Sequence, residues 1–596
     1  MCGVAGTLSL SNEPADADVV KAMCDLLRHR GPDDEGLWSS GPVALGHRRL
    51  SIIDLSPRGR NPLANEDGDV FVCCNGEIYN YRELRQDLVS RGHRFRSETD
   101  VESIVHLYEE EGVEAVRRLD GMFAFALYDV RRRRLLLARD RFGVKPLYYT
   151  RFGNTLAFAS EIKAFLALPG FAAKLDARGL AEHFAFQNQF GSRTLFEGVS
   201  LLPAGHMLIA EDGAISTRQY WDLDLDPQPN MTLEDWAQGL RERFEAAVTR
   251  QLMSDVPLGS FLSGGMDTGS ISAVAARSIR GMHTFTCGFA LPAGRSDLEK
   301  YFDERRESHE LAAHLGTIHH ELELGPDAMA PLLPQVVWHL DEPRVGISYP
   351  VIRTAQMIRE HVTVVLSGVG GDELFAGYPW RYDRAANLDG EAFDVAYYRE
   401  WCRLLSDEER SELFTQETRR AIGDFTPYDS FREAIRGARA SGGLSRALYF
   451  DFKTFMNGLL LVDDRLTMAH SLESRVPFLD NELVAYTARI PPEHKGRKLV
   501  LRRAMQGLVP DATLNRRKQG FTPPDRTWYK GELLATVKDL VLGRDRGVFE
   551  RRALERILDE HLSDKRDHRF LLWSLMSIEW WHRLFVDREP LPEREI

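Results

Sequence analysis

Cysteine is scarce in this chain: six residues in 596, namely Cys2, Cys24, Cys73, Cys74, Cys287 and Cys402. Their scatter offers neither a disulfide framework nor paired metal-ligand spacing, and it suits a reducing compartment. No apolar run reaches transmembrane length and no secretory leader pattern is seen, so a cytoplasmic location without a membrane partner is expected. Basic charge is also short. Lys and Arg number 76 against 89 Asp and Glu, and the resulting net charge of −13 argues against nucleic acid as a partner. The arginine run 131–134 reads as a solvated hairpin turn. Internal repeats and low-complexity tracts are missing as well. What is present is length, enough for roughly two to four domains with cores of their own.

The first 160 residues read as short strands with few helices. Val70–Cys74 is a β-prone run ending at Asn75-Gly76, a turn signal. Asn80 and Glu83 have the spacing of a helix N-cap. Further strands are predicted at Phe123–Tyr128, Leu135–Ala138 and Leu156–Ala159. The stretch 222–230, rich in Asp and Pro, predicts a linker. Beyond it, helical spacing at Leu240, Phe244, Ala247 and Val248 leads into an apolar strand, Val256–Leu262. Strands recur at Thr284–Phe289 and Val362–Leu366, separated by helical segments. That alternation predicts a parallel, doubly wound sheet. From about residue 392 the chain reads as mostly helical.

Cys2 is the first residue with chemistry to offer. Once Met1 is removed, its α-amine, with a reference pKa of roughly 7.7–8.0, can take the thiol proton directly or through a water. A cysteine that cleaves an amide needs oxyanion donors, and the Asn75 side chain with the Gly76 N–H are candidates. That dipeptide alone equally fits a plain β-turn. Arg48 and Arg49 offer bidentate carboxylate binding, and Asp100 offers a partner for an α-ammonium. Singly, a surface arginine and a capping aspartate are the commoner readings.

Together these residues resemble the class II, Ntn-type glutamine amidotransferase domain. The matching strings are Met1-Cys2-Gly3, Arg28–Asp33, Arg49–Ile52, Asn75–Asn80, Thr99-Asp100 and Gly121–Phe125, in the family's order. The resemblance implies Cys2 as nucleophile and Asn75 with Gly76 as oxyanion hole. It also implies Arg49 on the glutamine α-carboxylate, Asp100 on its α-amine, and Glu77 within the same glutamine-binding set. The implied product is ammonia, released through a γ-glutamyl thioester.

In the second half, Ser263-Gly264-Gly265-Met266-Asp267-Thr268 follows a predicted strand and precedes a helix. Glycines let the backbone approach phosphate, and the helix N-terminus supplies oriented N–H groups. No Walker lysine is present, which disfavours γ-phosphoryl transfer. About a hundred residues later, Ser367-Gly368-Val369-Gly370-Gly371-Asp372-Glu373 repeats the pattern. Two such loops at one sheet edge suit a shared Mg²⁺-nucleotide, with aspartates as hard ligands.

Residues 235–530 resemble the PP-loop ATP pyrophosphatase domain of glutamine-hydrolysing asparagine synthetases. The strings are Ser254–Pro257, Ser263–Asp267, Ser367–Glu373, Phe375–Tyr378, Arg465–Ala469 and Glu473–Asp480. The resemblance implies ATP at Leu262, Ser263, Gly264, Gly265, Asp267, Thr268, Cys287, Ser367 and Gly368. It implies Mg²⁺ on Asp267 and Asp372, and Lys498 stabilising charge as the adenylate is attacked. Thr268 replaces the usual serine and keeps its hydroxyl. Val369 stands where asparagine synthetases usually carry an acidic residue, a departure shared with amidotransferases of polysaccharide and natural-product pathways.

Residues 2–220 are therefore expected to form an α+β Ntn-hydrolase-type sandwich. A linker at 221–235 should lead to an α/β parallel-sheet PP-loop domain at 236–596, with a largely helical C-terminal part. The expected reaction is amide formation by ammonia attacking an acyl-adenylate. Its substrates are glutamine, ATP with Mg²⁺, and a carboxylate. Aspartate is the first-ranked acceptor; a polysaccharide uronic acid or a natural-product intermediate is the alternative. A homodimer is left open. The intact Cys2, Arg49, Asn75 and Asp100 set argues against a cyclase that uses an internal amine, and against a non-catalytic scaffold.

Overall fold

The computed structural model describes residues 2–228, 230–290, 303–440, 442–516 and 523–592. The first part of the chain is built on β1 (Gly3–Ser9), β2 (Asp34–Ser40), β3 (Val43–Arg49), β4 (Leu63–Ala64), β5 (Val70–Ile78) and β6 (Gly121–Asp129). It continues through β7 (Arg134–Arg139), β8 (Tyr148–Phe152), β9 (Thr155–Ala159), β10 (Val199–Leu201), β11 (His206–Glu211) and β12 (Ala214–Gln219). Two six-stranded antiparallel sheets result, ordered β10-β8-β9-β1-β3-β2 and β12-β11-β7-β6-β5-β4.

Alternation along each strand decides the layering, since successive side chains point to opposite faces. Val4, Leu45, Cys73, Ala124, Leu137 and Phe158 fill the space between the sheets. The outer face of the second sheet, with Val72, Cys74 and Phe125, is covered by Leu84, Leu88, Ile104 and Leu107 of helices Tyr81–Ser90 and Glu102–Glu111. Helix Ala17–Asp25 covers the first sheet through Val20 and Met23. This is the Ntn-hydrolase-type sandwich.

Two local expectations need correction. The turn at Asn75-Gly76 is absent: β5 runs on to Ile78, pairing Asn75 with Ala124 and Gly76 with Phe123. A Cβ on Gly76 would meet Met122 O at 2.1 Å and Phe123 Cα at 2.5 Å, so this glycine serves close strand approach and not chain reversal. Asn80 begins the following helix without capping it by its side chain. It ties two other backbone groups instead, donating to Arg118 O at 2.9 Å and accepting from Asp120 N at 3.0 Å.

Between β12 and helix Leu233–Arg250 the described residues carry no helix or strand, as a linker would. They are nonetheless pinned. Leu223 and Leu225 are buried, and Asp222 accepts from Tyr449 Oη at 2.9 Å and Lys453 Nζ at 2.8 Å. Thr232 and Asp235 then close a capping box, and Trp236, Leu240, Phe244, Ala247 and Val248 form the buried stripe of the helix.

The second sheet system contains β13 (Leu258–Phe261), β14 (His283–Phe289), β15 (Ile318–Leu324), β16 (Val364–Leu366) and β17 (Glu473–Arg475), ordered β15-β14-β13-β16-β17. Every pairing is parallel. Val364, Val365 and Leu366 are wholly buried, as expected of a strand covered on both faces. Among the described residues from Pro379 to Trp581 the elements are helical apart from β17 and short 3₁₀ turns. The halves share one core. Phe184 packs edge-on against Phe414, and Phe196 against Trp581 and Phe585. Among the described residues, no helix is long and apolar enough to cross a membrane.

Candidate active sites

The first site forms where the two antiparallel sheets meet at one end. The β1–β3 register pairs Gly3 with Arg48, which puts Cys2 level with Arg49 at the end of β3. Across the gap, Cys2 N donates to Asn75 Oδ1 at 3.0 Å. Among the described residues Asn75 Nδ2 has no hydrogen-bond partner, an unfilled buried donor on the side chain that holds Cys2 N. Burial pushes the Cys2 thiol up, and His47 beside it leads the groups that together bring it down to about 7. Met1 lies outside the described residues.

Arg49 is fixed by backbone carbonyls: it donates to Ser56 O at 2.8 Å and also to Asp54 O. Asp100 is buried and accepts from Ile78 N at 2.6 Å, which places it beside Glu77 at the end of β5. Burial pushes the Asp100 carboxyl up to about 6. Glu77 is raised further, by burial first and then by Glu473 and Asp100. Arg475 stands 3.8 Å from Glu77, whereas Asp100 is held at such cost by neutral donors and is suited to a cationic ligand group.

Two residues that sequence reading passed over belong here. His47 donates through Nε2 to Cys74 O at 2.9 Å and faces the thiol. Arg30 donates to Cys2 O at 2.9 Å. Arg30 sits inside a string already singled out and His47 directly precedes Arg48, but only the folded pairing shows what they touch.

The second site lies at the C-terminal edge of the parallel sheet, where β13 and β16 are neighbours. Their loops open into a cavity of about 820 Å³ lined by Leu262, Ser263, Gly265, Asp267, Thr268, Cys287, Ser367, Gly368, Asp372 and Lys498. Gly264 alone of the predicted set does not line it; a Cβ there would strike Arg516 Nη1 at 1.7 Å. The Thr268 hydroxyl accepts from Ser263 N at 3.0 Å, so the Ser-to-Thr departure preserves the loop's internal bond. Burial pushes the Cys287 thiol up to about 12, so it stays protonated where it lines the cavity. Lys498 Nζ sits between the two loop aspartates, 2.6 Å from Asp372 Oδ1 and paired also with Asp267. The carboxylates thus converge on a point that already favours a cation, and hard oxygen donors fit Mg²⁺.

Val369 faces this cavity, as do Tyr378, Trp380, Phe455 and Phe570. Arg403 stands among these rings, 5.6 Å from the Phe455 centroid and 5.8 Å from that of Phe570. Its Nη1 is buried without a hydrogen-bond partner, and burial followed by the nearby charge of Arg381 pushes it down to about 10. This anion-seeking group gave no signal in the sequence.

Helix Phe455–Met468 connects the two sites. Asp463 lines the second cavity. The adjacent Asp464 accepts from Arg30 at 2.9 Å and pairs with Lys145 at 3.2 Å. Arg30 also reaches Glu161 at 3.0 Å, and Arg465 pairs with both Glu161 and Asp341. The side chains of this network are almost wholly excluded from solvent.

A cysteine at position two of an Ntn-type sandwich, packed on a parallel sheet with paired glycine-aspartate loops, defines a glutamine amidotransferase joined to a nucleotide-using ligase. Comparison with known proteins agrees: residues 1–221 match the glutamine amidotransferase domain and 239–583 match asparagine synthase. The chain belongs to the asparagine synthase family, a family of ATP-using, glutamine-hydrolysing ligases. It is 32% identical to asparagine synthetase [glutamine-hydrolyzing] 1 of Bacillus subtilis (strain 168), over all of this chain (100%) and 98% of that one. A putative asparagine synthetase [glutamine-hydrolyzing] of Mycobacterium bovis is 34% identical, over 100% of this chain and 98% of that one. Amidase chry2 of Gibberella zeae is 30% identical, over 87% and 86%.

Proposed function

We propose that the chain hydrolyses glutamine at Cys2 and uses the ammonia to amidate a carboxylate activated by ATP at the second site. The observation that carries this is the presence of both constellations in one shared core, joined through Arg30 and helix Phe455–Met468.

Cys2, with its thiol near neutrality and assisted by its own α-amine, attacks the glutamine side-chain carbonyl. Asn75 Nδ2 and the Gly76 N–H receive the oxyanion. Arg49 binds the α-carboxylate, and Asp100 with Glu77 the α-ammonium. Ammonia leaves as the γ-glutamyl thioester forms, and water releases glutamate. The ammonia passes internally to the second site. There the acceptor carboxylate attacks the α-phosphorus of ATP, forming an acyl-adenylate and releasing pyrophosphate. Asp267 and Asp372 would hold Mg²⁺, which neutralises charge on the leaving pyrophosphate. Lys498 steadies the adenylate while ammonia displaces AMP. The Ser263–Thr268 and Ser367–Asp372 loops cradle the phosphates.

Aspartate is the first-ranked acceptor, in keeping with the names of the most similar relatives. A second reading, amidation of a bulkier acid, is favoured by one specific feature. Val369 offers no charge at the position where an acidic residue is expected, and beside it rise Tyr378, Trp380, Phe455 and Phe570 around Arg403. The test is a mass-spectrometric screen of the purified enzyme with glutamine, MgATP and a panel of carboxylic acids. Aspartate-dependent release of AMP and asparagine supports the first reading. Robust glutaminase with AMP release only on an aromatic or sugar acid establishes the second. Formation of ADP and phosphate in place of AMP and pyrophosphate overturns the adenylate mechanism.

A further inference from the structure

Away from both sites, Glu66, His93, His106 and Glu109 converge on one point at the edge of the amidotransferase half. Glu66 stands between β4 and β5, and His93 follows helix Tyr81–Ser90. His106 and Glu109 lie one turn apart on helix Glu102–Glu111. His93 Nδ1 is 3.2 Å from Glu66 Oε1 and 3.6 Å from Glu109 Oε2. His106 Nδ1 is 3.1 Å from Glu66 Oε2 and 3.3 Å from Glu109 Oε2. Zinc bonds of about 2.0–2.2 Å place donors at the corners of a tetrahedron about 3.3–3.6 Å apart. Glu66 meets the two histidines through different oxygens, Glu109 meets both through Oε2, and one ligand atom from each of the four residues lies within 4.8 Å of the others.

The surroundings are those of a metal's outer layer. Behind the His93 ring stands a further carboxylate, Glu110 Oε1 at 3.2 Å from Nε2, and such a partner turns the opposite nitrogen inward as the ligand. Glu102 Oε1 lies 3.6 Å from His106 Nε2, an ion-pair distance without a hydrogen bond. Asn65 Nδ2 holds the outer oxygen of Glu109 at 2.8 Å, and Arg94 N holds Glu66 at 2.8 Å. His106 is buried, while His93 and both glutamates keep an edge to solvent through which an ion can enter. A second histidine cluster, His283, His320 and His361, differs in kind. Its rings are stacked, and His283 Nδ1 lies 2.8 Å from His320 Nε2, a ring-to-ring hydrogen bond too short for two ligands of one ion.

We propose that Glu66, His93, His106 and Glu109 form a structural Zn²⁺ site. Two nitrogens and two carboxylate oxygens suit Zn²⁺ better than the oxygen-seeking Mg²⁺. Three chain segments meet in it, and its outer layer leads toward glutamine. Glu102 accepts from Arg96 N at 2.6 Å and Ser97 N at 2.7 Å, holding the strap that ends at Asp100. The metal thus clamps the piece of chain that presents Asp100. That consequence for glutamine rests on the proposed role of Asp100; the binding of metal does not.

The test uses the purified full chain, stripped with a chelator and titrated with Zn²⁺ against a chromophoric competitor. The expected result is one tight equivalent per chain in the presence of millimolar Mg²⁺, a visible tetrahedral spectrum with Co²⁺, and a raised melting temperature. Glu66→Gln and His93→Asn should each abolish that equivalent, whereas His320→Asn should keep it. Circular dichroism and the unchanged ammonia-dependent reaction confirm that the variants fold. No tight equivalent in the wild type, or one that survives both substitutions, overturns the site. A Zn²⁺ equivalent that leaves the KM for glutamine unchanged on removal confirms the site and overturns its link to Asp100.

Discussion

The two halves of this chain place their chemistry on opposite kinds of backbone. In the amidotransferase half, Cys2, Arg49 and Asn75 lie on or at the ends of strands whose pairing is fixed along their length. In the ligase half, Ser263–Thr268 and Ser367–Asp372 are loops beyond strand ends, closed by Lys498 from far along the chain. A site held by sheet register has little freedom, which suits one small substrate. A site held by loops and helices can exchange its lining, which suits a family whose acceptors differ. Accordingly the first pocket keeps its full complement while the second departs from pattern at Val369.

The comparison can be broken most severely at Cys2. Cys2→Ala should remove glutaminase activity by at least about a thousandfold, since no other thiol is poised to replace the nucleophile. Synthesis from added ammonium salts should survive, as measured by AMP release. Equal loss of both activities would show that the halves do not hold separate sites. The complementary change is Asp372→Asn or Asp267→Asn. Each should slow carboxylate-dependent exchange between pyrophosphate and ATP by about a hundredfold or more, because a metal contributes several kcal/mol to charge stabilisation. Glutaminase at Cys2 should persist in both variants.

Much of this was legible in residue order, and what was not has a common cause. Strings such as Asn75–Asn80 and Ser367–Glu373 announce their chemistry because each is contiguous. Strand β15 escaped notice because Ile-His-His-Glu-Leu-Glu-Leu is more polar than a buried strand usually is. Strand β17 escaped because three residues carry no periodicity. The Asn75-Gly76 turn was misread because glycine signals both reversal and close approach, and only the neighbouring strand decides. Arg30, His47 and Arg403 were silent because their meaning lies in partners as far away as Asp464. The stretch read as a linker, 222–230, is anchored by Leu223, Leu225 and Asp222, which composition did not reveal.

Arg30 is where the two halves are physically joined, so it offers a middle-sized test. Arg30→Leu leaves Glu161 and Asp464 buried without one of their cations, and breaking a buried pair this way typically costs about 3–5 kcal/mol. A denaturant midpoint should fall accordingly. Because the same side chain holds the Cys2 carbonyl, the ratio of glutamate formed to amide formed should rise as ammonia escapes. A ratio that stays constant would limit Arg30 to a role in stability.

The subtlest difference between the halves is electrostatic. The ligase cavity holds its aspartates against a lysine, whereas the glutamine pocket buries Asp100 beside Glu77, and burial pushes Asp100 up to about 6. The sign follows directly. A carboxyl whose folded value exceeds its unfolded value near 4 binds extra protons in the folded state between those limits, so its contribution to stability declines as pH rises from about 4 to about 6. The ammonium of glutamine reverses the balance, because it favours the ionised form. The Asp100 contribution to glutamine affinity should therefore weaken as pH falls below about 6, by up to about tenfold per pH unit. Calorimetric titration on Cys2→Ala protein isolates this effect, since the thiol no longer titrates. Asp100→Asn should bind glutamine weakly with a flat profile, while a retained slope in that variant would transfer the role to Glu77.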